Sequence, residues 1–183
     1  MVTIAKARRV EGNTLAFRDA DATDAEFILS LRTDAVKSKY LSQTSAVLSD
    51  QVSWLEGYAN RSNEAYFIIE TLSGERLGTV RLYDGRGDSF CWGSWIVKDG
   101  APRSTAVESA LMVYAYAIDI LGYTNCHFDV RKDNERVCQF HERFGAERTG
   151  ETQLDYLYTL TGEAIAQARK HLSRFLPNGL RVI

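Results

Sequence analysis

Polar and apolar positions follow two rhythms along this chain, and the change from one to the other marks its elements. "TLAFRDA" alternates with the period of two expected of a half-buried strand. "DATDAEFILSLRTD" then opens on cap-type residues and places Phe27, Ile28 and Leu31 on one helical face. "SDQVSWLEGYANR" repeats that pattern, with Ser49 or Asp50 as the cap and Val52, Leu55 and Tyr58 or Ala59 turned inward, so a second helix follows. "EAYFIIET", "ERLGTVRLYD" and "DSFCWGSWIV" are three aromatic and β-branched runs separated by "LSG" and "GRG", the pattern of an antiparallel meander.

Beyond the meander the period returns to the helical one. "STAVESALMVYAYAIDILGY" sets Val107, Ala110, Leu111, Tyr114, Ala117, Ile118 and Leu121 on one face over about five turns, with no glycine or proline before Gly122. "NCHFDVR" reads as a strand. A helix from Asn134 to about Phe144 follows, capped by Asp133 or Asn134 and stopped at Gly145, with Val137, Phe140 and Phe144 expected to face the core. His141 lies on the edge of that stripe. It differs from Asn134 by only about 20° on the helical wheel, so a polar line runs beside the apolar one. "TQLDYLYTLTG" is a last strand with Leu154, Tyr156 and Tyr158 on one side, and "EAIAQARKHLSRFLPNGLRVI" is an amphipathic helix with a tail that covers the sheet or meets a second subunit. Strand, helix, strand and helix in succession require a crossover and a locally parallel pair. The expected fold class is α+β, an α/β/α sandwich on a mixed sheet.

Composition narrows the classes of function. The chain has 183 residues, 45% hydrophobic and 25% charged, enough for one domain over 1–183 in which 162–183 form a helical extension. Its 22 basic and 24 acidic residues leave a net charge of −2, too little positive charge for gripping nucleic acid. The start, "MVTIAKARRVEGN", lacks the apolar run of a signal peptide, and no stretch has the length of a membrane span, so a cytoplasmic protein is expected. Cys91, Cys126 and Cys138 show neither CxxC spacing nor a histidine cluster, so neither a disulfide framework nor a metal site is expected.

A ligand site is expected where the sheet turns from antiparallel to parallel, at "WIVKDGAPRSTAVES". This loop opens the longest helix. Ser104 or Thr105 caps that helix, its first free N–H groups and dipole favour a phosphate, and Lys98 and Arg103 add positive charge. Many strand-to-helix loops share these features, and His141 taken alone is better explained as a core histidine satisfied by a backbone carbonyl.

The order of the elements, with "GSWIV", "STAVESAL" and "NERVCQFHERFGA", resembles the GNAT N-acetyltransferase superfamily over about Thr14 to Thr161. The resemblance implies acetyl-CoA as acyl donor, no metal, and direct transfer to a primary amine. It implies that the fourth and fifth family strands splay, that the loop from Lys98 through Arg103, Ser104, Thr105 and Ala106 wraps the pyrophosphate, and that Asn134 contacts the pantetheine arm. Backbone N–H groups near Ile96 and Val97 would polarise the thioester carbonyl. His141 would stand where many members carry the tyrosine that protonates the departing thiolate, a role open to an imidazole near neutral pH.

Two departures from the family pattern stand out. "APRSTA" replaces a glycine-rich loop, with Pro102 removing one N–H donor, and Cys91 occupies the position of a frequent glutamate base. Glu70, Asp84 and His127 are alternative bases between which the sequence does not choose, and nothing visible activates Cys91 or Cys138 as a nucleophile. The acceptor is expected among "SLRTDAVKSKYL", Trp54, Tyr83 and "LDYLYTL", with Arg32, Tyr40 and Tyr83 as its contacts and Lys37 and Lys39 as further cations. "LRTD", "FHERFGA" and "LDYLYTL" resemble the branch acting on nucleotide-linked amino sugars. A ribosomal-type protein N-terminal acetyltransferase and a non-catalytic acyl-CoA-binding module are the alternatives, and a homodimer is compatible with each.

Overall fold

The computed structural model describes residues 2–183. Nine strands form one sheet in the order β7-β8-β6-β5-β4-β3-β2-β1-β9. The chain begins with β1 (Arg9–Glu11) and β2 (Leu15–Asp19), then α1 (Ala25–Arg32) and α2 (Leu48–Ala59). The meander β3 (Ala65–Thr71), β4 (Arg76–Arg86) and β5 (Ser89–Val97) follows, antiparallel throughout. α3 (Thr105–Ala115) continues through a π turn at Tyr116–Ile120 to Gly122, whose φ of 86° suits a residue without a Cβ. β6 (Asn125–Arg131), α4 (Glu135–Arg143), β7 (Glu147–Glu151), β8 (Asp155–Leu160), α5 (Gly162–His171) and β9 (Arg181–Val182) complete the chain.

The two sheet faces bury different helices, as the alternating pattern requires. Phe17, Phe67, Ile69, Val80, Leu82, Phe90 and Trp92 pack with α3, α4 and α5 in the larger core, while Tyr66 and Ile68 on the opposite face meet Ile28 of α1 and Leu55 and Tyr58 of α2. The cap-type residues at "DATD" form a capping box of Asp21 and Asp24. Buried Asp24 also takes two bonds from Arg18.

Several expectations are corrected. The buried residues of α4 are Cys138 and His141, with Phe144 just beyond its end, while Val137 and Phe140 are half-buried, so the inward face is rotated toward the polar line. Leu154 precedes β8 and is 59% exposed; Tyr158 and Leu160 form the buried side of that strand, with Tyr156 half-buried beside them. β7 carries no alternation and was not expected; it pairs with β8 as an exposed edge. The segment 162–183 is not helical throughout: Leu172, Phe175, Leu176 and Leu180 pack on the main core, and β9 pairs with β1 at the far edge of the sheet. Among the described residues no helix is long and apolar enough to cross a membrane.

The feature that positions the site is the junction of β5 and β6. These strands run parallel but pair only at Ser89↔Asn125 and Phe90↔Cys126. From Cys91 onward, β5 has no strand partner on that side among the described residues.

Candidate active site

The splay opens toward the C-terminal ends of β5 and β6, from which the chain turns into α3 and α4. On its other side β5 keeps its ladder with β4, and Lys98 N–H donates to Leu77 C=O at 2.8 Å. Alternation of an antiparallel ladder then turns the Val97 N–H away from β4 and into the splay, while Ile96 sits opposite Thr79. Of the two expected carbonyl polarisers, Val97 is therefore the one with its N–H free toward the cleft. A β-bulge lies just before it: Arg81 pairs with Gly93 and Thr79 with Ile96, so Val80 faces both Ser94 and Trp95. Ser94 adopts φ +46°, the left-handed region that a serine enters at a cost.

The loop after β5 reaches α3 through Gly100, at φ +79°. Ser104 is the N-cap residue but makes no side-chain cap. Thr105 is 1% exposed, and its Oγ1 has no hydrogen-bond partner among the described residues. An orphaned buried hydroxyl in the first turn of a helix is a polar group awaiting a ligand or water. Arg103 is exposed, whereas Lys98 is engaged with Glu75 at 2.7 Å. Across the splay Asn134 begins α4, and its side chain makes no capping bond, which leaves the amide available.

His141 is enclosed rather than presented. It is 5% exposed, with its ring 4.3 Å from Phe128, 5.3 Å from Trp92, 5.6 Å from Phe140 and 6.1 Å from Trp95, centroid to centroid. Its Nδ1 is buried without a hydrogen-bond partner among the described residues. Burial pushes its pKa down to about 3. At neutral pH the ring is therefore uncharged, with one nitrogen able to donate a hydrogen bond and the other to accept one.

The candidate bases fall outside the cleft. Glu70 is bound by Arg18 at 2.7 Å and Arg9 at 3.2 Å on the β2 side of β3. Asp84 pairs with Arg86, which holds its carboxyl below the usual range, and His127 lies 2.7 Å from Ser89 Oγ at the closed end of the splay. Burial pushes the Cys91 thiol up to about 11, so it is not an activated nucleophile.

A cavity of about 290 Å³ lies on the α1/α2 side of the bulge. Its walls include Arg32, Asp50, Trp54, Tyr66, Arg81 and Ser94. Arg32 joins Trp54 here, as expected, while Tyr40 and Tyr83 lie outside the wall. Arg81 is tied to buried Glu64 and stacks near Trp54, centre to ring 5.3 Å. Arg32 instead bonds neutral groups, Thr44 Oγ1 at 2.6 Å and Ser42 Oγ at 2.9 Å, and has no carboxylate partner among the described residues. Asp50 is the carboxylate of this wall and accepts from Ser45 Oγ at 2.6 Å. Neither Asp50 nor Tyr66 stood out in the sequence, because nothing about a helix-start aspartate or a strand tyrosine distinguishes a cavity wall from core or surface.

The segment between α1 and α2 roofs the cavity with Ser42 to Ser45 and crosses to both sides of the splay. Lys37 reaches Asp99 at 2.8 Å and Lys39 reaches Asp133 at 3.4 Å, beside the two loops that leave β5 and β6.

Residues 14–147 match the family model described as an acetyltransferase (GNAT) domain, and the chain belongs to this GNAT family of N-acetyltransferases. The apo structure of FdhC, described as a nucleotide-linked sugar GNAT, is 36% identical, with a TM-score of 0.82 over 92% of this chain and 98% of that one. A GCN5-related N-acetyltransferase from Brucella melitensis shares the fold at 15% identity and TM-score 0.76, covering 97% of this chain and 90% of its own. Spermidine N-acetyltransferase from Vibrio cholerae, in complex with CoA and spermine, does so at 16% identity and TM-score 0.70, over 84% of this chain and 98% of that one. None of the curated proteins matches in sequence.

Proposed function

We propose that this protein transfers an acetyl group from acetyl-CoA directly to the amine of a nucleotide-linked amino sugar. The observation that carries the reading is the unpaired edge of β5 from Cys91 to Val97, with α3 opening at one end and the cavity at Ser94 behind it. The residues present suit acetyl-CoA, which when bound supplies the activated acetyl thioester. Arg103, the orphaned Thr105 hydroxyl and the first N–H groups of α3 meet the pyrophosphate. Asn134 holds the pantetheine arm with its uncommitted amide. The Val97 N–H faces the thioester carbonyl and stabilises negative charge as it develops on oxygen.

Arg32 and Asp50 give the cavity its acceptor chemistry. The cation without a carboxylate partner suits a phosphate-bearing molecule, and Trp54 offers an aromatic face. Asp50 takes the proton that the ammonium must lose before its nitrogen attacks. His141 keeps the aromatic packing beside the splay and serves as a neutral group, so the departing thiolate draws its proton from water. The likeness to a nucleotide-linked sugar GNAT at 36% identity supports this acceptor class.

Thiol release from acetyl-CoA, followed with an amino-sugar nucleotide, spermidine and a peptide bearing a free N-terminus as acceptors, tests the proposal. Release is expected with the amino-sugar nucleotide. Release with the peptide alone would move the acceptor to a protein N-terminus, and binding of acetyl-CoA without release to any amine would leave a non-catalytic module.

A further inference from the structure

The bulge that turns β5 requires a serine at positive φ, and the chain supplies one interior hydroxyl to hold it there. Thr79 of β4 is fully buried, at 0% exposure, and its Oγ1 donates to the carbonyl of Ser94 at 2.8 Å. That carbonyl belongs to the extra residue of the bulge, which takes no regular place in the β4 ladder. Ser94 lines the cavity on one side, and three residues later the Val97 N–H opens on the splay. Tyr66, a member of the same wall, is buried, and burial raises the pKa of its phenol. A hydroxyl at this place therefore stands between the acceptor cavity and the strand that presents the carbonyl polariser.

We infer that Thr79 is a positioning residue for acetyl transfer: its hydrogen bond to Ser94 fixes the bulge in the register that aims the Val97 N–H into the splay. This inference rests on the proposed transfer reaction. Valine has nearly the same shape as threonine but no hydroxyl, so it leaves the Ser94 carbonyl without its donor while filling the same volume. The bulge then relaxes away from positive φ, and the N–H that meets developing charge is displaced from it. Loss of such a donor acts on the rate of transfer and leaves the pyrophosphate and pantetheine contacts in place.

The test compares wild type, Thr79→Val and Thr79→Ser in steady-state transfer, with calorimetric binding of acetyl-CoA measured beside it. Thr79→Val is expected to lower kcat about fivefold to tenfold, the worth of one hydrogen bond, with KM and Kd for acetyl-CoA unchanged within twofold. Thr79→Ser, which restores the donor but lacks the methyl, is expected to recover most of kcat. Unchanged kcat in Thr79→Val, equal losses in both variants, or a crystal structure of Thr79→Val with Ser94 still at positive φ would each overturn the inference while wild-type transfer stands. Absence of transfer by wild type despite acetyl-CoA binding would instead overturn the reaction itself, and this inference with it.

Discussion

At the scale of single residues, His141 shows how burial decides chemistry. The imidazole sits among Trp92, Trp95, Phe128 and Phe140, where a charge has no solvent to stabilise it. In the unfolded chain it binds a proton near pH 6.5, whereas in the folded chain it does so only near 3. Between those values the unfolded state holds the extra proton, so stability is lost as pH falls through this window, by up to about 4 to 5 kcal/mol in all. His141→Phe removes the titration and the orphaned Nδ1 together. Denaturant unfolding at pH 7 and pH 4 is expected to show that the variant loses about 3 kcal/mol less over this range than wild type. Equal losses would mean that the folded histidine titrates normally. Turnover per folded molecule at pH 7 is expected to fall less than about tenfold, and a larger fall would return His141 to the proton-donor role. The sequence placed the histidine beside a polar line but could not seal it, because its neighbours in space come from β5 and β6.

At the scale of elements, α3 connects the loop after β5 to the opposite half of the sheet. Glu108, one turn into the helix and 1% exposed, accepts the backbone N–H groups of Asn13, Thr14 and Leu15 and the Thr14 hydroxyl at 2.5 to 3.0 Å. Glu108→Ala removes these four hydrogen bonds and leaves the buried Leu15 N–H without its partner, and chemical denaturation is expected to report a loss of about 3 kcal/mol. A loss below about 1 kcal/mol would mean that water or a shifted turn satisfies them. The long helix, the meander and the parallel crossover were legible because each has an uninterrupted period and distinct glycine boundaries. α4 was harder, since its buried face includes a cysteine and a histidine that an apolar count passes over. β7, "ERTGE", and β9, two residues long, have no period of their own; each forms because a neighbouring strand offers free backbone groups.

At the scale of the whole molecule, the sheet divides its work. Its β1–β4 half is covered on both faces and closed at its far edge by β9, while the break between β5 and β6 opens the other half to a ligand. The strap from α1 to α2 ties the two sides of that break through Lys37–Asp99 and Lys39–Asp133 and roofs the cavity between them. In the proposed reaction the splay and this cavity thus share a boundary, as direct transfer between two bound substrates requires. The loop from Lys98 to Ser104, Thr105 and Asn134 stood out in the sequence, but the burial of the Thr105 hydroxyl and the uncommitted state of the Asn134 amide appear only once the helices are placed. The cavity was equally hidden, being assembled from α1, the strap, α2, β3, β4 and β5. The proposed transfer requires the splay to bind acetyl-CoA without the usual glycines, and calorimetric titration of the purified protein with acetyl-CoA measures this directly. A saturable one-to-one isotherm with micromolar Kd is predicted, and a flat titration at millimolar acetyl-CoA would contradict the assignment of the splay as an acyl-donor site.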